Sequence, residues 1–167
     1  MKTFLKILIY TVLFSILHFG YELTGWPLLK PFCGTDESVF EHLKMGFWAY
    51  LFASTIEFFI LKKRSDFWPS RLFATTLVPW FILIVWYLVP ALFGRIESLT
   101  IELIWAFAVV IISGIFGRVI EKELDQLNAS KNFRTIVSIL LIVSILFFVR
   151  FSFSKPWIDV FVDPYIL

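Results

Sequence analysis

Cysteine is almost missing from this chain: one thiol, Cys33, in 167 residues. That excludes an intramolecular disulfide, a cysteine-built metal cage and a redox dithiol. Histidine is scarce too, with His18 and His42 the whole supply of 2. Charged residues make up 17% of the chain, where a soluble domain carries about a quarter. The net charge of +2 is small, and the basic residues are scattered apart from one triplet, so no stripe exists for nucleic acid. Glycine and proline, at 7 each, are too few for a collagenous or low-complexity chain. No internal repeat and no complete motif of a known enzyme chemistry is present.

What the chain does have is apolar bulk: 59% hydrophobic residues and a mean hydropathy of +0.85. Phe alone contributes 21 residues, beside 7 Trp and 5 Tyr, which suits interfacial belts and aromatic helix packing in a bilayer. Apolar stretches long enough to span lie at roughly 3–22, 40–61, 70–93, 98–118 and 133–152. The expected fold is an all-α bundle of five transmembrane helices forming a single domain over 1–167. The N-terminal run has basic residues Lys2 and Lys6 like a secretory signal, but no small-x-small cleavage site follows, so it is expected to remain as the first helix.

The connections are expected at 23–39, which holds the turn formers Gly25, Pro27 and Gly34, at the basic run Lys62-Lys63-Arg64-Ser65-Asp66, at Gly94-Arg95-Ile96-Glu97, and at 121–134, where a helix continues past the bilayer. Pro79 and Pro90 are expected to kink or end the third helix, and Gly114 with Gly117 to permit a close crossing by the fourth. Counting Lys and Arg on alternate sides with the N-terminus inside gives ten inside and five outside, so the positive-inside rule predicts N-in, C-out in the cell membrane.

That topology places His18 and His42 at one depth on adjacent helices. Thr11, Ser15, His18 and Glu22 recur at helical spacing and are expected to face inward. On the second helix His42, Gly46, Ala49, Ala53 and Glu57 form a facing stripe whose small residues let backbones approach. The entry Asp36-Glu37-Ser38-Val39-Phe40-Glu41-His42-Leu43-Lys44 is dense in ionisable groups. Ser38 and Glu41 fit an S-x-x-E capping box, which leaves Glu37 and His42 to be explained. His18, Glu22 and His42, with Glu37 or Glu41, are ligand types suited to zinc. A hydrogen-bonded polar cluster that fixes helix packing uses the same residues. Glu57 is expected to pair with Arg118 or a snorkelling lysine, and Glu102 with Arg150. The tail from Lys155 to Tyr165 is expected to fold over the polar mouth.

The blocks His18-Phe19-Gly20-Tyr21-Glu22 and Glu37-Ser38-Val39-Phe40-Glu41-His42-Leu43-Lys44, with Pro31 between them and Asp163-Pro164 near the end, resemble an uncharacterised family of small prokaryotic integral membrane proteins, a domain of unknown function. The resemblance implies no activity. It implies that His18, Tyr21, Glu22, Glu37, Glu41, His42, Lys44 and Asp163 form one site.

Two functions follow as expectations. One is a non-enzymatic membrane protein that binds a small-molecule or lipid ligand, or serves transport or assembly, through an outward-facing His/Glu pocket with Tyr21 and Asp163 as ligand-binding residues. The other is a metal-assisted hydrolase or transferase acting on a lipid or lipid-linked substrate. There His18, Glu22 and His42 hold zinc, Glu37 or Glu41 is the general base and Lys44 completes the catalytic group. The bilayer is the expected partner and nucleic acid is not.

Overall fold

The structure is a computed structural model and describes residues 1–61, 67–94, 96, 98–127 and 129–163. It consists of five helices: α1 (Thr3–Thr24), α2 (Val39–Leu61), α3 (Trp68–Phe93), α4 (Leu99–Asp125) and α5 (Lys131–Phe153). Short 3-10 turns lie at Pro27–Leu29 and Asp159–Phe161, and no strand occurs among the described residues. All five helices are long and apolar enough to cross a bilayer. The chain is therefore a multi-pass membrane protein in contact with lipid, in agreement with the all-α expectation. The basic run at 62–66 and residues 164–167 lie outside the described residues, as do Arg95 and Glu97.

The helix ends follow local chemistry. Gly25 adopts φ 65°, a left-handed conformation that glycine reaches without penalty, and its N–H closes α1 on Tyr21 O at 2.8 Å. Ser130 starts α5 by accepting the N–H of Phe133 at 3.1 Å. α4 continues to Asp125, beyond any apolar stretch, as its polar last turns suggested. Neither proline ends α3: Pro79 is buried in mid-helix, and the helix runs through Pro90 until Gly94 caps it with φ 85°. In lipid a missing N–H is tolerated where neighbouring helices enclose the freed carbonyl.

α3 packs against α2, α4 and α5, while α1 packs against α2 and α4. Large apolar side chains such as Phe4, Leu8, Ile104 and Leu146 are exposed and present the lipid-facing surface. The interior is aromatic, with Tyr10, Phe40, Phe47 and Tyr50 almost fully enclosed. Glycines make room for the two tyrosines. A Cβ on Gly114 would lie 2.7 Å from the Tyr10 ring, and one on Gly117 equally close to Tyr50. The close crossing expected of α4 is formed in this way.

The inward face of α1 differs from expectation. Lys6, Tyr10, Phe14 and Leu17 are its buried residues, whereas Thr11, Ser15 and His18 are half-buried and Glu22 is exposed. Bulk decides this for Tyr10, Phe14 and Leu17, while Lys6 is drawn in by acids on neighbouring helices. Lipid cannot solvate polar groups, but it also gives no reason to hide apolar ones, so the face that fills the interior best is enclosed.

Candidate functional site

The loop from Gly25 to Ser38 returns the chain from α1 to α2 and so brings His18 beside His42, with ring centroids 5.6 Å apart. Glu37, two residues before α2 begins, reaches between them. Its Oε1 is 3.7 Å from His18 Nε2 and its Oε2 is 3.6 Å from His42 Nε2. One ligand atom from each of these three residues lies within 4.8 Å of the others. The His42 ring is held from behind, with Nδ1 3.0 Å from the carbonyl of Ser38. A carbonyl only accepts, so Nδ1 donates to it and Nε2 is the nitrogen turned toward Glu37. His18 Nδ1 is buried without a partner. The side chains of His18, His42 and Glu37 keep 25%, 22% and 46% of their surface exposed, so the group is open to solvent.

A second group adjoins it. Glu41 and Lys44 are fully buried and paired at 2.6 Å. Lys155, from beyond α5, pairs with Glu41 at 2.7 Å and also with Asp36. Lys44 donates further to Lys30 O at 2.7 Å and Ser152 Oγ at 3.2 Å. Burial of Asp36 would raise its carboxyl pKa, but the hydrogen bonds from Lys155 and Ser38 outweigh that and hold it below the usual carboxylate range. The expected capping box does not close. Ser38 N–H donates to Asp36 Oδ1 at 2.9 Å, and Glu41 Oε2 accepts from Thr35 N at 3.0 Å, so the acid reaches past Ser38 to the loop.

The other expected site residues lie at the same end. Asp163 Oδ2 accepts from Glu37 N at 3.4 Å. The Tyr21 ring carries Lys30 Nζ at 5.5 Å. Glu22, one turn after His18, is exposed and outside the His18–Glu37–His42 group. The tail does fold over this mouth as far as it is described, since Phe161 stacks on Phe40 at 4.6 Å. The expected ion pair between Glu102 and Arg150 is not found among the described residues. Burial pushes the thiol pKa of Cys33 up, the opposing effect of Lys44 being weaker.

Sequence reasoning overlooked a larger ionic network toward the other end of α2. Lys6 Nζ is 2.8 Å from Glu57 Oε2, donates to Ser54 Oγ at 3.1 Å and pairs with Glu121. Arg118 pairs with Glu121 at 2.7 Å and with Glu57 at 3.4 Å, so the expected Glu57–Arg118 contact is present. Arg71 pairs with Asp125, and Tyr50 OH donates to Glu121 Oε1 at 2.9 Å. Three cationic side chains, joined by the Met1 ammonium 3.4 Å from Glu57, thus meet three acids from four helices. The signal was available in the spacing of Lys6, Tyr10, Phe14 and Leu17 and of Arg118, Glu121 and Asp125. Because each acid here is occupied by cations, the network reads as a lock between helices.

Residues 2–166, nearly the whole chain, match the model of a family described as a family of unknown function, DUF6512. The chain belongs to that family. This agrees with the resemblance drawn from the His18 and Glu37–Lys44 blocks. No curated protein and no solved structure matches the chain. For this DUF6512 member the chemistry of its own residues carries the functional reading.

Proposed function

We propose that the chain is a membrane protein that binds a divalent metal of the zinc class through His18, Glu37 and His42, as a ligand-binding rather than a catalytic centre. The observation that carries this is the spacing of Glu37 between the imidazoles. Separations of 3.7 and 3.6 Å are too long for hydrogen bonds. They run to different oxygens of the carboxylate and are close to what ligands sharing an ion need, because two bonds of about 2.1 Å span about 3.4 Å at a tetrahedral angle and about 3.6 Å at 120°. The three ligand atoms, within 4.8 Å of one another, would draw together on an ion. The Ser38 carbonyl behind His42 is the kind of outer contact that fixes a ligating tautomer. Two histidines and a carboxylate leave a position for water or a further ligand. The excess of Lys and Arg toward the other end of the bundle supports placing this mouth outside the cell membrane.

The binding reading is preferred to a metal-assisted hydrolase because the remaining carboxylate, Glu41, is buried between Lys44 and Lys155. It is poorly placed to move a proton, and Glu37 is spent as a ligand. The test is metal content. Detergent-purified protein equilibrated with zinc and desalted should retain it stoichiometrically, and His18→Ala and His42→Ala should each lose it. Zinc-free parent protein after equilibration would overturn the proposal.

A further inference from the structure

Of the three candidate ligands Glu37 is the least anchored: it precedes α2, and nearly half of its side chain is exposed. The hydrogen bonds around it all concern its neighbours and its own backbone. Lys155 Nζ pairs with Asp36, the residue before Glu37, and lies 3.4 Å from Ser38 Oγ, the residue after it. Asp36 Oδ1 in turn accepts the N–H of Ser38 at 2.9 Å, which closes a tight turn with Glu37 at its apex. The same ammonium reaches Glu41 Oε1 at 2.7 Å, and Glu41 Oε2 accepts from Thr35 N at 3.0 Å. One cation from outside the loop therefore fixes residues 35, 36 and 38. The carbonyl of Ser38 is also what orients His42, at 3.0 Å. Both the carboxylate and one imidazole depend on this turn.

We infer that Lys155 is the positioning residue of the His18–Glu37–His42 centre, setting its metal affinity by holding the turn that presents Glu37 and orients His42. This rests on the metal-binding reading above. Lys155 does not touch the ion; it acts by removing freedom from a ligand that would otherwise be ordered at the expense of binding. Without it, the buried carboxylate of Glu41 keeps Lys44 at 2.6 Å, but Asp36 loses the cation that holds its carboxylate in place. The turn is then free to swing Glu37 outward.

Zinc titration of metal-free protein in detergent, with Kd as the readout, tests this. Lys155→Met is expected to weaken binding about 10- to 100-fold, the usual cost of an outer-shell change, and Lys155→Arg to recover most of it. Asp36→Asn breaks the same clamp from the other side and should weaken binding in the same direction, which decides the matter if Lys155→Met fails to fold. In a Glu37→Gln background Lys155→Met should cost much less, because the ligand it presents is gone. A merely structural lysine would cost the same in both backgrounds. Zinc binding by the parent with unchanged Kd in Lys155→Met and Asp36→Asn would overturn the positioning role and leave the metal reading standing. Absence of zinc binding by the parent would overturn both.

Discussion

Tyr50 lies so close to Gly117 that a Cβ on the glycine would come within 2.7 Å of the ring and its hydroxyl. The ring cannot withdraw freely, because its hydroxyl donates to Glu121 at 2.9 Å and its neighbours are packed. Gly117→Ala is therefore expected to destabilise the bundle by about 1–3 kcal/mol through overpacking. Thermal unfolding in detergent measures this, and a variant that melts with the parent would mean that α2 and α4 are not seated against each other here.

Lys6→Met should also destabilise. It removes one of the cations paired with Glu57 and Glu121, both fully buried. Arg118 still pairs with both, so the cost is expected above about 1 kcal/mol and below the cost of about 3–5 kcal/mol for a buried charge left with no partner. Adding Glu121→Gln to Lys6→Met should restore part of the loss. Additive destabilisation in the double variant, read from unfolding curves, would show that the two residues do not act as a pair.

Cys33 should resist alkylation. Its side chain is 4% exposed, and burial holds the thiol above its ordinary pKa, so little of the nucleophilic thiolate is present at neutral pH. Reaction with a water-soluble maleimide is expected to be more than about 10-fold slower in the folded protein than in denaturant, and to accelerate as pH rises. Equal rates in both states would place the thiol on the surface.

Chelation separates a metal centre from a polar packing cluster. A ligand that binds only the folded state stabilises it by mass action. Adding chelator to zinc-loaded protein should lower the Tm of the parent and leave His42→Ala unmoved. If chelator changes neither, the histidines act only through hydrogen bonds and packing.

The five spans were legible because bilayer thickness imposes a length and an apolar composition that survive any rearrangement of packing. The approach of His18 to His42 was legible for a related reason: consecutive antiparallel spans place the end of one helix beside the start of the next. The rotation of α1 was not. Thr11, Ser15 and Glu22 form a polar stripe by spacing, yet the enclosed stripe is Lys6, Tyr10, Phe14 and Leu17, because interior volume had to be filled by tyrosine and phenylalanine. The spacing of Lys6 with Tyr10, Phe14 and Leu17 puts it on the enclosed face, but nothing in α1 alone tells that its partners sit on α2 and α4. Likewise Glu41 matched a capping box by spacing, and the competing attraction of Lys44 and Lys155 drew it elsewhere.

The partners of Lys6 lie far along the chain, with Glu57 following by 51 residues and Glu121 by 115. A ribosome delivers them in that order. When α1 first enters the bilayer its lysine has no counter-charge. It gains one carboxylate when α2 emerges and the second only after most of α4 has been made. The ionic network therefore ties the final seating of the first helix to synthesis of the fourth, and a chain released before Glu121 would hold α1 by half of its charge contacts. The charge contacts of α1 are thus completed late, by an acid on the fourth helix.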